Sequence, residues 1–327
     1  MKLIKKGLFF TTFICAQCLF AQYTEVINSN RPGVSKSAFS VGTNVAQLEV
    51  GPYIINEKHA PLKYEVSGFG ADFTARYGLL FEQLEINIEG TYQNDTFTDN
   101  RSVISAEDKR SNFKQFTLGA KYLVYDPYKN SEEEEKPNLY SYHANRTFKW
   151  KSLIPAVAVY AGANFDTKNN PYTGPGVEGF SPKIMVATQN NFPGGWVLVT
   201  NFLKDRIGTD YSDFQYIITL THSFSPQWVV FAETQGIQSD FYADNLFRFG
   251  GGYLWSKDFQ LDTAVTFNTK DTPSVFGLNF GMSYRFDFHV DKETDNENSR
   301  EATDKRKPKK KKGKKKRTDD FDDDGSL

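Results

Sequence analysis

Residues 86–93 read Ile86-Asn87-Ile88-Glu89-Gly90-Thr91-Tyr92-Gln93, with apolar or small side chains at the even positions and polar or charged ones at the odd. Successive side chains of a strand point to opposite faces, so this stretch makes a strand with one greasy face and one wet face. The same rhythm returns in Phe116-Thr117-Leu118-Gly119-Ala120-Lys121-Tyr122 and in Phe259-Gln260-Leu261-Asp262-Thr263-Ala264-Val265-Thr266-Phe267. Between Val45 and Phe288 it predicts twelve strands, at about 44–56, 62–77, 83–97, 112–125, 152–165, 180–191, 195–204, 213–225, 227–237, 245–256, 258–269 and 274–288.

The connections after strands two, six, eight and ten are tight, whereas those after three, five, seven, nine and eleven are mostly longer and rich in Asn, Asp and Gly. Short turns at one end, longer loops at the other and one apolar strand face predict an all-β, antiparallel up-and-down transmembrane barrel of the bacterial outer membrane. Outer-membrane lipid is then its first partner, and both termini are expected in the periplasm. One connection, 126–151 with its run Glu132-Glu133-Glu134-Glu135, is long on the short-turn side. It is either a periplasmic insertion or the mark of a miscounted strand.

Residues 1–21 read as a signal peptide, with Lys2, Lys5 and Lys6 leading an apolar stretch that ends at Ala21. Cys15 and Cys18, the chain's two cysteines, both lie there, which excludes a disulfide scaffold or a thiol nucleophile from the rest. No later apolar run is long enough for a spanning helix, so a membrane crossing must be made by strands whose backbone is satisfied by closure. The expected organisation is a signal peptide at 1–21, a periplasmic or lumenal arm at 22–43, the barrel at 44–288 and a tail at 289–327.

Net charge is −1, of which the leader supplies +3 and the tail +2, leaving −6 for residues 22–288. Nothing there forms a nucleic-acid-binding surface. The tail is nearly all lysine or arginine over 305–317 and nearly all aspartate over 319–324, a composition that cannot build a core and predicts disorder. Such charge blocks are usually just solvated; the functional reading is contact with an anionic periplasmic partner or with lipid head groups.

Lumen parity selects Glu49, Arg76, Glu85, Glu89, Lys121, Glu233, Arg248, Asp262 and Arg285, together with Asn201 and Gln215. Such residues pair across a barrel interior as structural ladders, or line a passage and filter solutes by charge. Trp150, Trp196, Trp228 and Trp255 all fall near the short-turn end, as an aromatic girdle at one membrane edge requires. Chemistry is poorly served. There is no Gly-x-Ser-x-Gly, and His59, His143, His222 and His289 are scattered without zinc-ligand spacing. The run Asp320-Phe321-Asp322-Asp323-Asp324-Gly325 opens like a calcium loop but lacks the distal carboxylate. No enzyme activity, cofactor or metal is expected.

The segment Asn30-Arg31-Pro32-Gly33-Val34-Ser35-Lys36-Ser37-Ala38-Phe39, followed by Gln47-Leu48-Glu49-Val50-Gly51, resembles the opening of the "putative MetA-pathway of phenol degradation" family. Further echoes are Ala75-Arg76-Tyr77-Gly78-Leu79, Leu153-Ile154-Pro155-Ala156, Phe231-Ala232-Glu233 and Gln260-Leu261-Asp262. The Ala-Gln end of the leader suggests a Bacteroidetes-type member. The resemblance, over roughly 29–288, implies an outer-membrane barrel that passes small-molecule solutes, hydrophobic or aromatic compounds among them. The acidic run at 132–135 and the charged tail depart from the family pattern. Arg31 precedes the first strand, in a segment that either plugs the lumen or forms an ordinary arm; if it enters, Glu85 and Glu89 are its expected partners. The competing functional reading is a structural, envelope-tethering protein acting through its basic tail.

Overall fold

The computed structural model describes residues 26–128 and 150–289. Twelve antiparallel strands close into a barrel in sequential order, with β1 hydrogen-bonded to β12. They are β1 (Val45–His59), β2 (Tyr64–Gly78), β3 (Leu84–Asp99), β4 (Ala106–Tyr125), β5 (Ala156–Asp166), β6 (Gly179–Phe192), β7 (Trp196–Asp205), β8 (Asp213–Ser223), β9 (Trp228–Gln238), β10 (Ala243–Ser256), β11 (Phe259–Asn268) and β12 (Ser274–Asp287). The seam runs from Val45 opposite Asp287 to Lys58 opposite Ser274. Closure leaves no strand edge, the condition for a sheet surrounded by hydrocarbon.

Two boundaries differ appreciably from the periodicity reading. β4 begins at Ala106 rather than near 112, because Ala106–Ser111 carries charge on both faces and shows no alternation. There the strand is held by its pairing with 94–99 of β3, where Arg110 stands opposite Asp95. β5 begins at Ala156 rather than 152, after a single 3-10 turn at Trp150–Leu153 and after Pro155, which has no N–H for a ladder. Residues 1–21, expected to be a signal peptide, the run Glu132–Glu135 and the expected tail beyond 289 lie outside the described residues.

The barrel is inverted relative to a water-soluble protein. Leu48, Phe69, Ile88, Ile184, Phe202 and Phe280 stand exposed on the outside, while Gln47, Glu49, Arg76, Glu85, Asn87 and Lys121 are buried inside. The interior is not polar all round, however. On β5–β8 the inward side chains Ala156, Ala158, Met185, Ala187, Leu203 and Ile217 form an apolar cluster with Leu123, Tyr160 and, from the N-terminal segment, Ala38. Small residues on that wall leave room for a chain segment inside, which is why Ile184-Met185-Val186-Ala187 is apolar on both faces.

Ile88→Arg, placed on the lipid face opposite Ala75 and Leu118, is expected to destabilise the barrel by ~2–4 kcal/mol in vesicle-based denaturant unfolding. The outward Asn56→Arg near the loop end should cost less than about 1 kcal/mol. Equal costs would count against this placement of the bilayer.

Candidate functional site: the lumen and its N-terminal arm

Residues 26–44 form no strand of the wall; they run into the barrel, and their backbone is satisfied largely by wall side chains. An irregular segment has spare N–H and C=O groups at every residue, so it can lie inside only if the lumen supplies partners. Glu233 of β9 accepts hydrogen bonds from the backbone N–H of Val34 (3.1 Å) and Ser35 (3.2 Å). Asn201 of β7 accepts from the Lys36 N–H (2.6 Å) and donates to the Lys36 carbonyl (2.9 Å). Glu85 accepts from the Val41 N–H (3.1 Å), and Lys121 donates to the carbonyls of Ser37 and Phe39 (both 2.9 Å). Arg76 donates to the Asn28 carbonyl (2.7 Å), and Gln260 to that of Arg31 (3.2 Å).

Charged side chains lock the same layer. Arg76 forms a two-pronged pair with Glu85 (3.0 and 2.9 Å) and reaches Glu49 (3.3 Å), while Lys121 stands 3.4 Å from Glu85. The Lys36 ammonium pairs with Glu89 and sits 4.3 Å above the Tyr160 ring. Arg248 pairs with Glu233 at 3.1 Å. Arg31 lies between β11 and β12, 3.2 Å from Asp262 and hydrogen-bonded to Asn279. Its guanidinium rests where Gly51 and Gly281 have no side chain; a Cβ at either position would overlap it.

Nine of the ten lumen candidates therefore meet in one layer, with the tenth, Arg285, buried apart beside Asp287 (3.3 Å). The expected partners of Arg31 require correction. Glu85 is held by Arg76 and Lys121, and Glu89 by Lys36, so Arg31 takes Asp262 on the far side of the seam. Sequence reasoning passed over Lys36, Asn279 and the two glycines. Gly51 and Gly281 at lumen parity were the available signal, since a glycine inside a strand marks a close approach.

Trp196 stacks on His222 with ring centroids 4.1 Å apart, which uses that histidine as an aromatic partner on the outer surface. Trp228 and Trp255 flank Tyr253 at 4.6 and 6.1 Å, and Trp150 stands exposed on the 3-10 turn. Beside the arm at the turn end lies a cavity of about 320 Å³, whose wall mixes Val197, Val199, Val229, Phe231 and Leu254 with Gln189, Thr219, Thr221 and Ser223, and which is bounded by Arg31 and Gln260.

The family model described as "Putative MetA-pathway of phenol degradation" matches residues 29–286. The chain belongs to this family. Among solved structures it is similar to the COG4313 outer membrane channel from Pseudomonas putida F1, at 10% identity and a TM-score of 0.50, over 80% of this chain and 100% of that one. That likeness establishes the shared barrel fold. The chain is also similar to the translocator domain of the autotransporter NalP from Neisseria meningitidis (11% identity, TM-score 0.43, 75% and 89% covered). A third similar structure is the Pseudomonas putida toluene transporter TodX (9%, 0.40, 75% and 90%). No curated protein matches the sequence.

Glu233→Ala removes the acceptor of two arm amides. Hydrogen exchange at Val34 and Ser35 is expected to accelerate roughly 10- to 100-fold, as loss of hydrogen bonds to a charged group implies. Glu85→Gln, which leaves Arg76 and Lys121 underpaired, should lower unfolding stability by ~3–5 kcal/mol. Unchanged exchange in the first variant would show that the arm is held by other contacts.

Proposed function

We propose that this chain is an outer-membrane channel for small solutes with apolar bodies, and that the arm sets the width of the passage. The observation that carries this is the cavity beside the arm. Its strand walls carry Val197, Val199, Val229, Phe231 and Leu254 among neutral hydroxyl and amide groups such as Thr219, Thr221 and Gln189. Arg31 is its one charged lining residue among those described, in contrast to the charge ladder found elsewhere in the lumen. Its volume of about 320 Å³ suits a molecule with one ring or a short alkyl chain. The family description names the breakdown of phenol, a compound of that kind. Transport of this type needs binding that is weak and staged, with no catalytic step.

The turn end is read as periplasmic and the loop end as external. The support is the brevity of the turns at 193–195 and 257–258 and the outward Trp196, Trp228 and Trp255 at that end. In this reading residues 1–21 are removed on export, and the arm enters the lumen from the periplasmic side.

Uptake of the apolar dye N-phenylnaphthylamine by intact cells tests the channel. Cells making the protein should take it up faster than cells without it. Val199→Lys with Phe231→Lys should slow uptake about tenfold, a barrier higher by ~1.4 kcal/mol. A rate no different from that of cells lacking the protein would overturn the proposal. An epitope placed at 206–212 should be antibody-accessible on intact cells and one at 193–195 should not; the reverse pattern would invert the assigned orientation.

A further inference from the structure

The arm divides the interior into two unlike parts. Towards the turns lies the cavity, in which Arg31 is the one charged lining residue among those described; towards the loops the inward side chains are acidic, aromatic and amide-bearing. In that loop-end half, four cations each have a carboxylate of their own: Arg110 with Asp95 (2.8 Å), Lys183 with Asp205 (3.6 Å), Arg206 with Asp166 (3.2 Å) and Lys270 with Asp244 (3.7 Å).

Three further carboxylates that are half-buried at lumen parity form no salt bridge among the described residues. Glu57 accepts from the Tyr64 hydroxyl (3.0 Å). Asp72 accepts from Thr91 (2.8 Å) and Asn279 (3.5 Å), and Asp213 from Gln215 (2.8 Å). Lys114, at the β4 bulge, and Arg31 and Arg248, in the arm layer, act on Asp72 from beyond salt-bridge distance. Arg31 and Arg248 are themselves committed to Asp262 and Glu233.

All three carboxylates are partly open to the interior, on opposite walls: Glu57 on β1 and Asp72 on β2 face Asp213 on β8. Low-dielectric walls focus the field of such unmatched charge into the space between them. The aromatic side chains point the same way. The Arg110 guanidinium lies 4.9 Å from the Phe97 ring and 5.3 Å from the Tyr172 ring, and the Lys270 ammonium lies 4.6 Å from the Tyr242 ring. Aromatic faces attract cations and offer nothing to anions.

We propose that the loop-end half of the lumen is a cation-selecting vestibule, in which Glu57, Asp72 and Asp213 set the sign of charge admitted. Neutral and cationic solutes, small organic ammonium ions among them, reach the arm, and anions of the same size are held back. This deepens the channel reading and rests on it, because a closed structural barrel would have no solute to select.

The test reads the local field without requiring flux, so its failure is separable from failure of the channel reading. Both cysteines of the chain precede residue 22, so Ile55→Cys in the processed protein is a single thiol. Ile55 is half-buried at lumen parity on β1, between Tyr53 and Glu57. Its reaction rates with a cationic, an anionic and a neutral methanethiosulfonate are each normalised to a free thiol in solution. The cationic reagent is expected to be favoured over the anionic on the order of tenfold, a ratio that falls with added salt. In Glu57→Gln/Asp72→Asn/Asp213→Asn the ratio should fall to within about twofold while the neutral reagent is unaffected. Equal rates in the parent thiol, a preference for the anionic reagent, or a thiol reached by none of the three would each overturn the proposal.

Discussion

In hydrocarbon an unpaired backbone N–H or C=O has no water to turn to, and each costs several kcal/mol. Pairing of β1 with β12, over 45–50 and again over 53–58, removes that cost along the seam, and everything else in this molecule follows from the cylinder it creates. The closed sheet has twelve strands, and strand number sets the width. Eight strands are filled by their own side chains, and sixteen or more leave a water channel. Twelve fall between, too wide to be filled from the wall alone. The sequence answers with residues 26–44, a segment without strand periodicity that occupies the middle of the lumen.

That occupant is itself a polar backbone in a low-dielectric space, so the wall must supply its hydrogen bonds. Buried charges meet the demand because one carboxylate can serve a cation and several amides together. Glu233 accepts from two arm amides, Thr219 and Arg248; Glu85 accepts from Val41 and Arg76. Replacing such a group by an apolar isostere would strand the arm amides as well as the partner cation. The ladder of inward charges and the arm are therefore one construction. The same reasoning explains why the charge in the arm layer is matched, whereas the loop-end half, whose loop residues Asn170 and Tyr172 are held by wall carbonyls instead, carries an excess.

The strands were legible because lipid and lumen impose opposite chemistry on alternate residues. Ile86–Gln93 shows this cleanly, and so does 259–267. The signal faded where one side lost its contrast. Ala106–Ser111 has charge on both faces, and Ile184–Ala187 is apolar on both because its inner face packs on Ala38. Parity also selected eight of the charged residues that meet in the arm layer. Parity says which way a side chain points but nothing about its height or its partner across the barrel. Arg31 illustrates the limit: nearness in the chain favoured strand three, while the available slot, two glycines and an unclaimed Asp262, lay across the seam.

The attachments of the arm are unequal along its length, and this decides how a solute can pass it. Residues 31–36 are tied to walls three to four strands apart, Arg31 to β11 and β12 and Lys36 to β3, so withdrawing the arm whole would break both pairs together. Each such buried pair costs ~3–5 kcal/mol to break. Against the cavity two bonds are neutral, the Ile27 N–H to the Lys257 carbonyl and Gln260 to the Arg31 carbonyl, whereas the Asn28 carbonyl is held by Arg76 and the Asn30 N–H by Glu49. Neutral hydrogen bonds of this kind contribute only about 1 kcal/mol each. The least costly opening for a small molecule in the cavity is therefore at residues 26–27, ahead of the Asn28 carbonyl that Arg76 holds, with the ion pairs of the layer intact. Local breathing at the turn end, and not ejection of the plug, is the cheaper route that this distribution of bonds provides.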